Sequence, residues 1–300
     1  MTKIFITGVN GFVGRNLVQR WKNQFDLSGC DLRPLWQSNT GSYTLEPFDN
    51  WHSQVHHLDL RSNYDPGILI GSNIVVHCAA RTRIDPSWDD YSDYYETNIT
   101  ASQQLFEHCQ QQGVAKFIYF SSSSVYGNSD MMQEDSRLAP TNPYAISKAS
   151  AEMALTAQAL KGKTELIIVR PFTMYGSFMN VGRDSLAIAK FIQAKQNNSP
   201  IRLEGGGDQE RDYINVHDAI DALELIIEHG KNGDVFNIGT GTSISIKKIA
   251  NAISSNQIAV PDRLGAVNRT CANIDKLRAL GFTPKVDILE WLSVYLKNIN

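Results

Sequence analysis

The sequence predicts an α/β chain, a doubly wound parallel sheet followed by a smaller C-terminal lobe. Three observations carry this. Lys3–Thr7 is a short apolar run that enters Gly8-Val9-Asn10-Gly11-Phe12-Val13-Gly14 and then a segment with apolar residues at helical spacing. Apolar runs and helical patterns then alternate as far as Arg170, the signature of strands joined by right-handed helical crossovers. Past Arg170 the alternation breaks, at Pro171-Phe172-Thr173-Met174-Tyr175-Gly176.

The elements follow in order. Lys3–Thr7 is the first strand, Arg15–Trp21 lies in the first helix, and the run Leu27–Cys30 is a second strand ending in Asp31. Pro34–Pro47 and Asp49–His57 read as a long polar loop that leads into a strand at Val55–Leu58. Ile74–Ala80 is the next strand, a helix runs from about Tyr91 to Gln112, and Lys116–Ser121 is a strand. A helix carrying Tyr144 and Lys148 extends to about Leu160, and Glu165–Arg170 is a further strand. Beyond it come a helix over Ser185–Gln196, a tight loop at Gly205-Gly206-Gly207, a strand at Arg211–Val216 and a helix at His217–Glu228. Short mixed elements complete the chain, so the expected substrate cleft lies between this lobe and the strand C-termini.

Two clusters carry chemistry. The glycines Gly8, Gly11 and Gly14 permit a tight turn and let a pyrophosphate approach bare N–H groups at a helix N-terminus. Asp31 falls near the interval expected for a carboxylate that holds an adenosine ribose. The second cluster is Tyr144-Ala-Ile-Ser-Lys148 with the upstream run Ser121-Ser122-Ser123-Ser124. Tyr144 and Lys148 share a helix face, and an ammonium beside a phenol favours the phenolate, so the expected base works nearer neutrality than pH ~10. A serine hydroxyl can complete the proton path to a substrate alcohol.

Composition sets limits. The chain has 300 residues and a formal net charge of −3, with no basic cluster, which argues against nucleic acid or an anionic membrane as partner. The apolar runs are too short to span a bilayer. The four cysteines show no paired spacing and read as reduced, buried thiols. The first strand begins at residue 3, which leaves no room for a signal peptide and makes a cytoplasmic protein the expectation. His52, His56 and His57 have the look of a metal cluster, but no cysteine or carboxylate stands at a matching interval, so no metal is expected. Arg81 and Arg83, after a strand end, suit substrate contact or a plain surface role equally well.

Together these residues resemble the extended short-chain dehydrogenase/reductase family, in its branch of NAD-dependent nucleotide-sugar epimerases and dehydratases. The resemblance includes the glycine loop, Asp31, Asp59-Leu60-Arg61, His77-Cys78-Ala79-Ala80, Asn98, the serine loop with Val125-Tyr126-Gly127 and the Tyr144/Lys148 pair. It continues through Arg170-Pro171-Phe172, Arg211-Asp212-Tyr213, Asn237-Ile238-Gly239-Thr240-Gly241 and Asp275-Lys276. It implies a Rossmann domain for NAD over 1–171 plus about 212–240, and a nucleotide-sugar lobe over about 172–211 and 241–300. It implies that Gly8, Gly11, Phe12, Val13 and Gly14 lie under the pyrophosphate, that Asp31 holds the adenosine ribose and that Asp59-Leu60 borders the adenine. Ala79, Ala80 and Asn98 complete the cofactor site. Lys148 would bind the nicotinamide ribose and poise Tyr144 as acid/base, with Ser122, four before Tyr126, as the catalytic hydroxyl. Thr82, Ser122, Ser123 and Thr173 would face the substrate, and Arg211 and Arg263 would grip its diphosphate. Thr173 departs from the asparagine many relatives have there. A homodimer is compatible with the resemblance.

The resemblance also bears on reaction type. Nucleotide-sugar 4,6-dehydratases follow the catalytic threonine with Asp and Glu, and here those positions are Ser123 and Ser124. Neither hydroxyl is a competent general acid or base near neutral pH. The expected reaction is therefore C4 epimerisation of a UDP-hexose through a 4-keto intermediate. An NAD(P)H-dependent reductase of a 4-keto-6-deoxy nucleotide sugar is the alternative, since Arg33 could accommodate a 2′-phosphate. A third reading, a non-catalytic NAD-binding regulator, is opposed by the intact Ser122, Tyr144 and Lys148.

Overall fold

The computed structural model describes residues 1–33, 54–129, 132–179, 187–262 and 264–299. Contacts divide the chain into two units: 1–125, 142–170 and 229–235 form the first, and 126–141, 171–228 and 236–300 the second. Segments 126–141, 212–228 and 236–240, with residue 171, therefore fall in the second unit, whereas the sequence reading grouped them with the cofactor domain.

In the first unit, β1 (Lys3–Thr7) leads through the glycine loop to α1 (Phe12–Trp21) and then β2 (Asp26–Asp31). β3 (Val55–His57) and β4 (Ile74–His77) follow, then α2 (Ile84–Asp89), α3 (Tyr91–Tyr95), a π-helical segment Glu96–Thr100 and α4 (Ala101–Gln111). β5 (Lys116–Phe120), α5 (Pro143–Ala159) and β6 (Glu165–Pro171) complete the series. Within this unit the sheet order is β3-β2-β1-β4-β5-β6, and all its pairs are parallel. This is the Rossmann order, whose direction reverses between β1 and β4, where such folds open a ligand crevice. The strands are buried on both faces, which is why β1, β4 and β5 read as nearly unbroken apolar runs. Phe5, Val75, Phe117 and Tyr119 from the sheet pack with Leu105 and Phe106 of α4 and Leu155 of α5. Asn142 caps α5 by accepting the Ala145 N–H at 2.9 Å, and Pro143 occupies its first turn.

Three elements differ from the sequence reading. β4 ends at His77 rather than Ala80, because Thr7 Oγ1 accepts the Ala79 N–H and draws the chain out of the ladder. The expected helix over 91–112 is broken into α3, the π segment and α4. Asn98 sits in that π segment because its amide is pinned to the Arg81 backbone, giving Nδ2 to the carbonyl and taking the N–H on Oδ1, both at 2.9 Å. The third difference, in the second unit, is that the strand expected over Arg211–Val216 is split at Asp212.

The second unit contains β7 (Thr173–Tyr175), α6 (Ala187–Gln196), β8 (Ile201–Glu204), β9 (Glu210–Arg211), β10 (Tyr213–Asn215) and α7 (Val216–His229). β11 (Val235–Ile238), β12 (Ile244–Ser245), α8 (Ile246–Ile253), β13 (Gln257–Val260), α9 (Asp275–Ala279) and α10 (Ile288–Ile299) follow. β7 pairs with β10 and β8 with β13, both parallel, and β9 with β12, antiparallel. Asp212 leaves the strand because its buried carboxylate accepts the N–H groups of Thr240, Gly241 and Ala272 at 2.8–3.1 Å and the Thr240 hydroxyl at 2.7 Å. Four donors on one carboxylate make it an anchor for the Gly239–Gly241 loop.

Candidate functional site

The glycine loop is a cradle that side chains would fill. Gly8 has a positive φ of 72°, and a Cβ there would lie 2.9 Å from the Ala79 nitrogen. A Cβ at Gly14 would lie 2.2 Å from the Gly8 carbonyl oxygen. No side chain caps the N-terminus of α1, whose cap residue is Gly11, so the first-turn N–H groups, Phe12 and Val13 among them, have no capping side chain as acceptor. Asp31, at the end of β2, is buried and accepts the Asn10 N–H at 2.8 Å and the Arg33 N–H at 2.9 Å. Asn10 Nδ2 returns a bond to the Arg33 carbonyl at 2.7 Å. A bare helix N-terminus, a turn that excludes Cβ atoms and a fixed carboxylate after β2 are what a dinucleotide requires, so the residues fit NAD.

Around this cradle the other expected cofactor residues are placed as follows. Ala79 contacts Gly8 directly, and Ala80 follows it, half-buried. Asp59 is engaged by Arg61, Nη2 to Oδ2 at 2.6 Å, and this pairing holds its carboxyl below the usual range. Leu60 is buried in the core. Arg61 also reaches Asp93 at 2.6 Å, and Arg81 pairs with the same carboxylate. Thr82 is exposed between β4 and α2.

A hydrogen-bonded chain joins the glycine turn to α5. His77 bonds Thr7 Oγ1 through Nδ1 at 2.7 Å and Ser102 Oγ through Nε2 at 2.8 Å. Ser102 donates to the Asn98 carbonyl, so its oxygen accepts from His77, which fixes the proton on Nε2. Asn98 Nδ2 donates to Ser147 Oγ at 2.8 Å, and Ser147 donates to the Tyr144 carbonyl at 2.7 Å. Burial first, then the Lys148 charge, pushes the His77 pKa down to about 3, so the ring stays neutral.

Ser122, Tyr144 and Lys148 come together in the first unit. Tyr144 is buried, and the burial raises its pKa; hydrogen bonds from Ser122 and then Ser124 oppose the rise. Ser124 donates to Ser122 Oγ at 2.9 Å through its hydroxyl and at 3.2 Å through its N–H. Three hydroxyls thus form one cluster. Lys148 donates to the Phe120 carbonyl at 2.7 Å and stands 4.8 Å over the Tyr119 ring. Burial lowers its pKa to about 7, with Cys78 and Glu152 opposing. The expectation that Lys148 pulls Tyr144 toward neutrality is therefore corrected: burial dominates the phenol, and the ammonium is spent on a main-chain oxygen.

Ser124 is a residue that sequence reasoning used only to exclude a dehydratase. Its spacing from Ser122 carries no sign that one short 3₁₀ turn, Ser123–Tyr126, folds it back onto its neighbour. Ser123 opens that turn, half-buried. In the second unit, Thr173 lies half-buried on β7, and Arg211 Nη1 donates to the Glu210 carbonyl at 2.7 Å and the Asn268 carbonyl at 3.3 Å. Arg263, His52, the expected loop over 34–53 and the start of the helix expected from Ser185 lie outside the described residues. Among the described residues there is no group of three or more His, Cys, Asp or Glu placed to hold a metal, the four cysteines are unbridged, and no helix is long and apolar enough to cross a membrane.

Residues 4–239 match the family described as the NAD dependent epimerase/dehydratase family. The chain is similar to the structure of MoeE5 in complex with UDP-glucuronic acid and NAD, with 31% identity, a TM-score of 0.86 and coverage of 97% of this chain and 96% of the other. It is similar to the UDP-glucuronic acid 4-epimerase of Bacillus cereus in complex with UDP-glucuronic acid and NAD, with 28% identity, a TM-score of 0.88 and full coverage of both. A dTDP-glucose 4,6-dehydratase of Streptomyces griseus is 29% identical over 309 residues, covering 97% of this chain and 92% of the relative.

Proposed function

The chain belongs to the NAD-dependent epimerase/dehydratase family, whose cofactor is NAD, and within that family we propose that it inverts C4 of a nucleotide sugar, a UDP-hexose, through a transient 4-keto sugar. The observation that carries this choice is the serine loop. Positions 123 and 124 hold hydroxyls, and Ser124 is turned onto Ser122. Elimination of water from a hexose needs a group that removes a carbon-bound proton and another that protonates the departing hydroxyl, and no carboxylate stands in this loop to do either. The similarity to solved UDP-sugar complexes supports the substrate class.

On this reading Gly8, Gly11, Phe12, Val13, Gly14, Asp31, Asp59, Leu60, Ala79, Ala80 and Asn98 would hold NAD, with Tyr144 and Lys148 at its nicotinamide end. When bound, NAD supplies a reversible hydride acceptor, and the positive charge of its oxidised ring favours the Tyr144 phenolate. Tyr144 removes the proton of the C4 hydroxyl and later returns it. Ser122 orients that hydroxyl, and Ser124 orients Ser122. Burial keeps water away from the phenol. Thr82, Ser123 and Thr173 are assigned to the substrate, and Arg211 and Arg263 to its diphosphate. A neutral His77 keeps the Gly8 turn and the Tyr144 helix in register without adding charge.

The test is to incubate the NAD-loaded protein with UDP-glucose, UDP-galactose, their N-acetyl forms and UDP-glucuronic acid, without added cofactor. C4 epimers of at least one sugar should interconvert with no net change in absorbance at the NADH band. A 4-keto-6-deoxy product would overturn the reading in favour of dehydration.

A further inference from the structure

Tyr144, Lys148 and Glu152 succeed one another at intervals of four on α5 and share one face. Glu152 is 4% exposed, and Arg170, near the end of β6, is as deeply buried. Glu152 Oε1 accepts from the Ser121 hydroxyl and from Arg170 Nε at 3.0 Å, and Oε2 accepts from Arg170 Nη2 at 2.6 Å. One turn earlier, Lys148 donates to the carbonyl of Phe120. Two consecutive residues at the end of β5 are thus each gripped by a charged side chain of α5. Ser121 is also fixed by its N–H to the Val169 carbonyl at 2.8 Å, and Ser122 is the next residue.

Resting on the reading of Tyr144 as the acid/base with Lys148 beside it at the nicotinamide end of the cofactor, we propose that Glu152 is a positioning residue of the reaction. Held by Arg170, it locks the strand end that precedes Ser122 and supplies a negative charge that opposes the loss of the Lys148 proton in a buried site. Besides Glu152, the ionisable groups facing Lys148 are His77, Cys78, Tyr119 and Tyr144. Burial favours the neutral forms of His77 and Cys78, at and just past the end of β4, and of Tyr119 on β5, while Tyr144 on α5 is the group that exchanges its proton in the reaction. Arg170 on β6 is a cation already engaged by Glu152. A lysine buried without a counter-charge gives up its proton near or below neutrality. Glu152 is thereby a determinant of the pH range of the enzyme.

The experiment follows the ionisation of Lys148 in the NAD-loaded protein, using lysine labelled at Cε and Nζ and assigned by loss of the signal in Lys148→Arg. Glu152→Gln should move the Lys148 midpoint down by about one pH unit. Ser121→Ala, which removes a hydrogen bond but no charge, should leave it in place. Because Glu152→Gln strands a buried Arg170 and can unfold the protein, the double variant Glu152→Gln/Arg170→Gln is measured beside it and should also titrate below wild type. An unmoved midpoint in the folded carboxamide variants, or an equal fall in Ser121→Ala, overturns the proposal. The readout needs no turnover: a shifted Lys148 midpoint in a protein that epimerises nothing would count against the proposed function alone.

Discussion

Lys148 Nζ lies 2.7 Å from the carbonyl oxygen of Phe120 and donates to it. The ammonium is thereby tied to the end of β5, and in this state the hydroxyls of Ser122 and Ser124 are what stabilise an ionised Tyr144. This division of labour sets the expected behaviour of single variants.

Tyr144→Phe keeps the ring, its burial and its edge contact with Tyr94, and deletes the oxygen proposed to exchange a proton with substrate. Turnover should fall by at least ~10²-fold, the usual scale for one acid–base group. NAD binding and the thermal midpoint should stay near wild type. Steady-state assays beside calorimetric NAD titration check this, and near-native turnover would show that the proton leaves by another route.

Ser124→Ala removes a hydroxyl that donates to Ser122 and opposes the rise of the Tyr144 pKa. The phenol, already raised by burial, should rise further once a hydrogen bond that opposes the rise is lost. With Tyr144 as the proposed base, the acidic limb of the rate profile should move to higher pH, and Ser124→Thr should restore it. A pH–rate profile superimposable on wild type would remove Ser124 from the account.

Gly14→Ala places a methyl group 2.2 Å from the Gly8 carbonyl oxygen and 2.7 Å from the Val9 Cα, both main-chain atoms that cannot swing aside. The loop must open, and NAD affinity should fall by at least about tenfold, or ~1.4 kcal/mol. Calorimetry on a protein shown by circular dichroism to be folded measures it. Unchanged affinity would mean that the pyrophosphate does not sit on this loop.

His77 contributes a stability term with a definite sign. Its folded pKa of about 3 lies below the ordinary 6.5, so between those values the unfolded chain binds a proton that the fold refuses. Stability should therefore fall as pH drops from 6.5, by up to about 1.4 kcal/mol per unit from this group. Urea unfolding at pH 7, 6 and 5 should show a steeper loss for wild type than for His77→Gln, although the variant starts lower for want of its bond to Thr7. Parallel curves would mean that His77 is protonated in the fold.

The sheet was legible because parallel strands buried on both faces are apolar throughout, and the cradle because glycines and a terminal acid stand at fixed intervals from β1. What escaped depended on tertiary partners. The π segment at Asn98 exists because the Arg81 backbone captures its amide, and Arg81 is distant in sequence. Asp212 looked like a strand residue until its four donors from Thr240, Gly241 and Ala272 were in place. Glu152 after Lys148 reads as an ordinary helical charge pair, and only burial against Arg170 and Ser121 separates it from one on a solvated face. The direction of the Tyr144 shift was missed for the same reason, since burial has no periodicity to read.

The central claim, that one carbon loses and regains the same hydride, is tested most directly with UDP-hexoses carrying deuterium at C4, mixed with unlabelled NADH in solution and followed by NMR. An epimerase should give C4-inverted product with the deuterium still at C4 and no consumption of the added NADH. Loss of the label from C4, or product formed only as NADH is consumed, would contradict it.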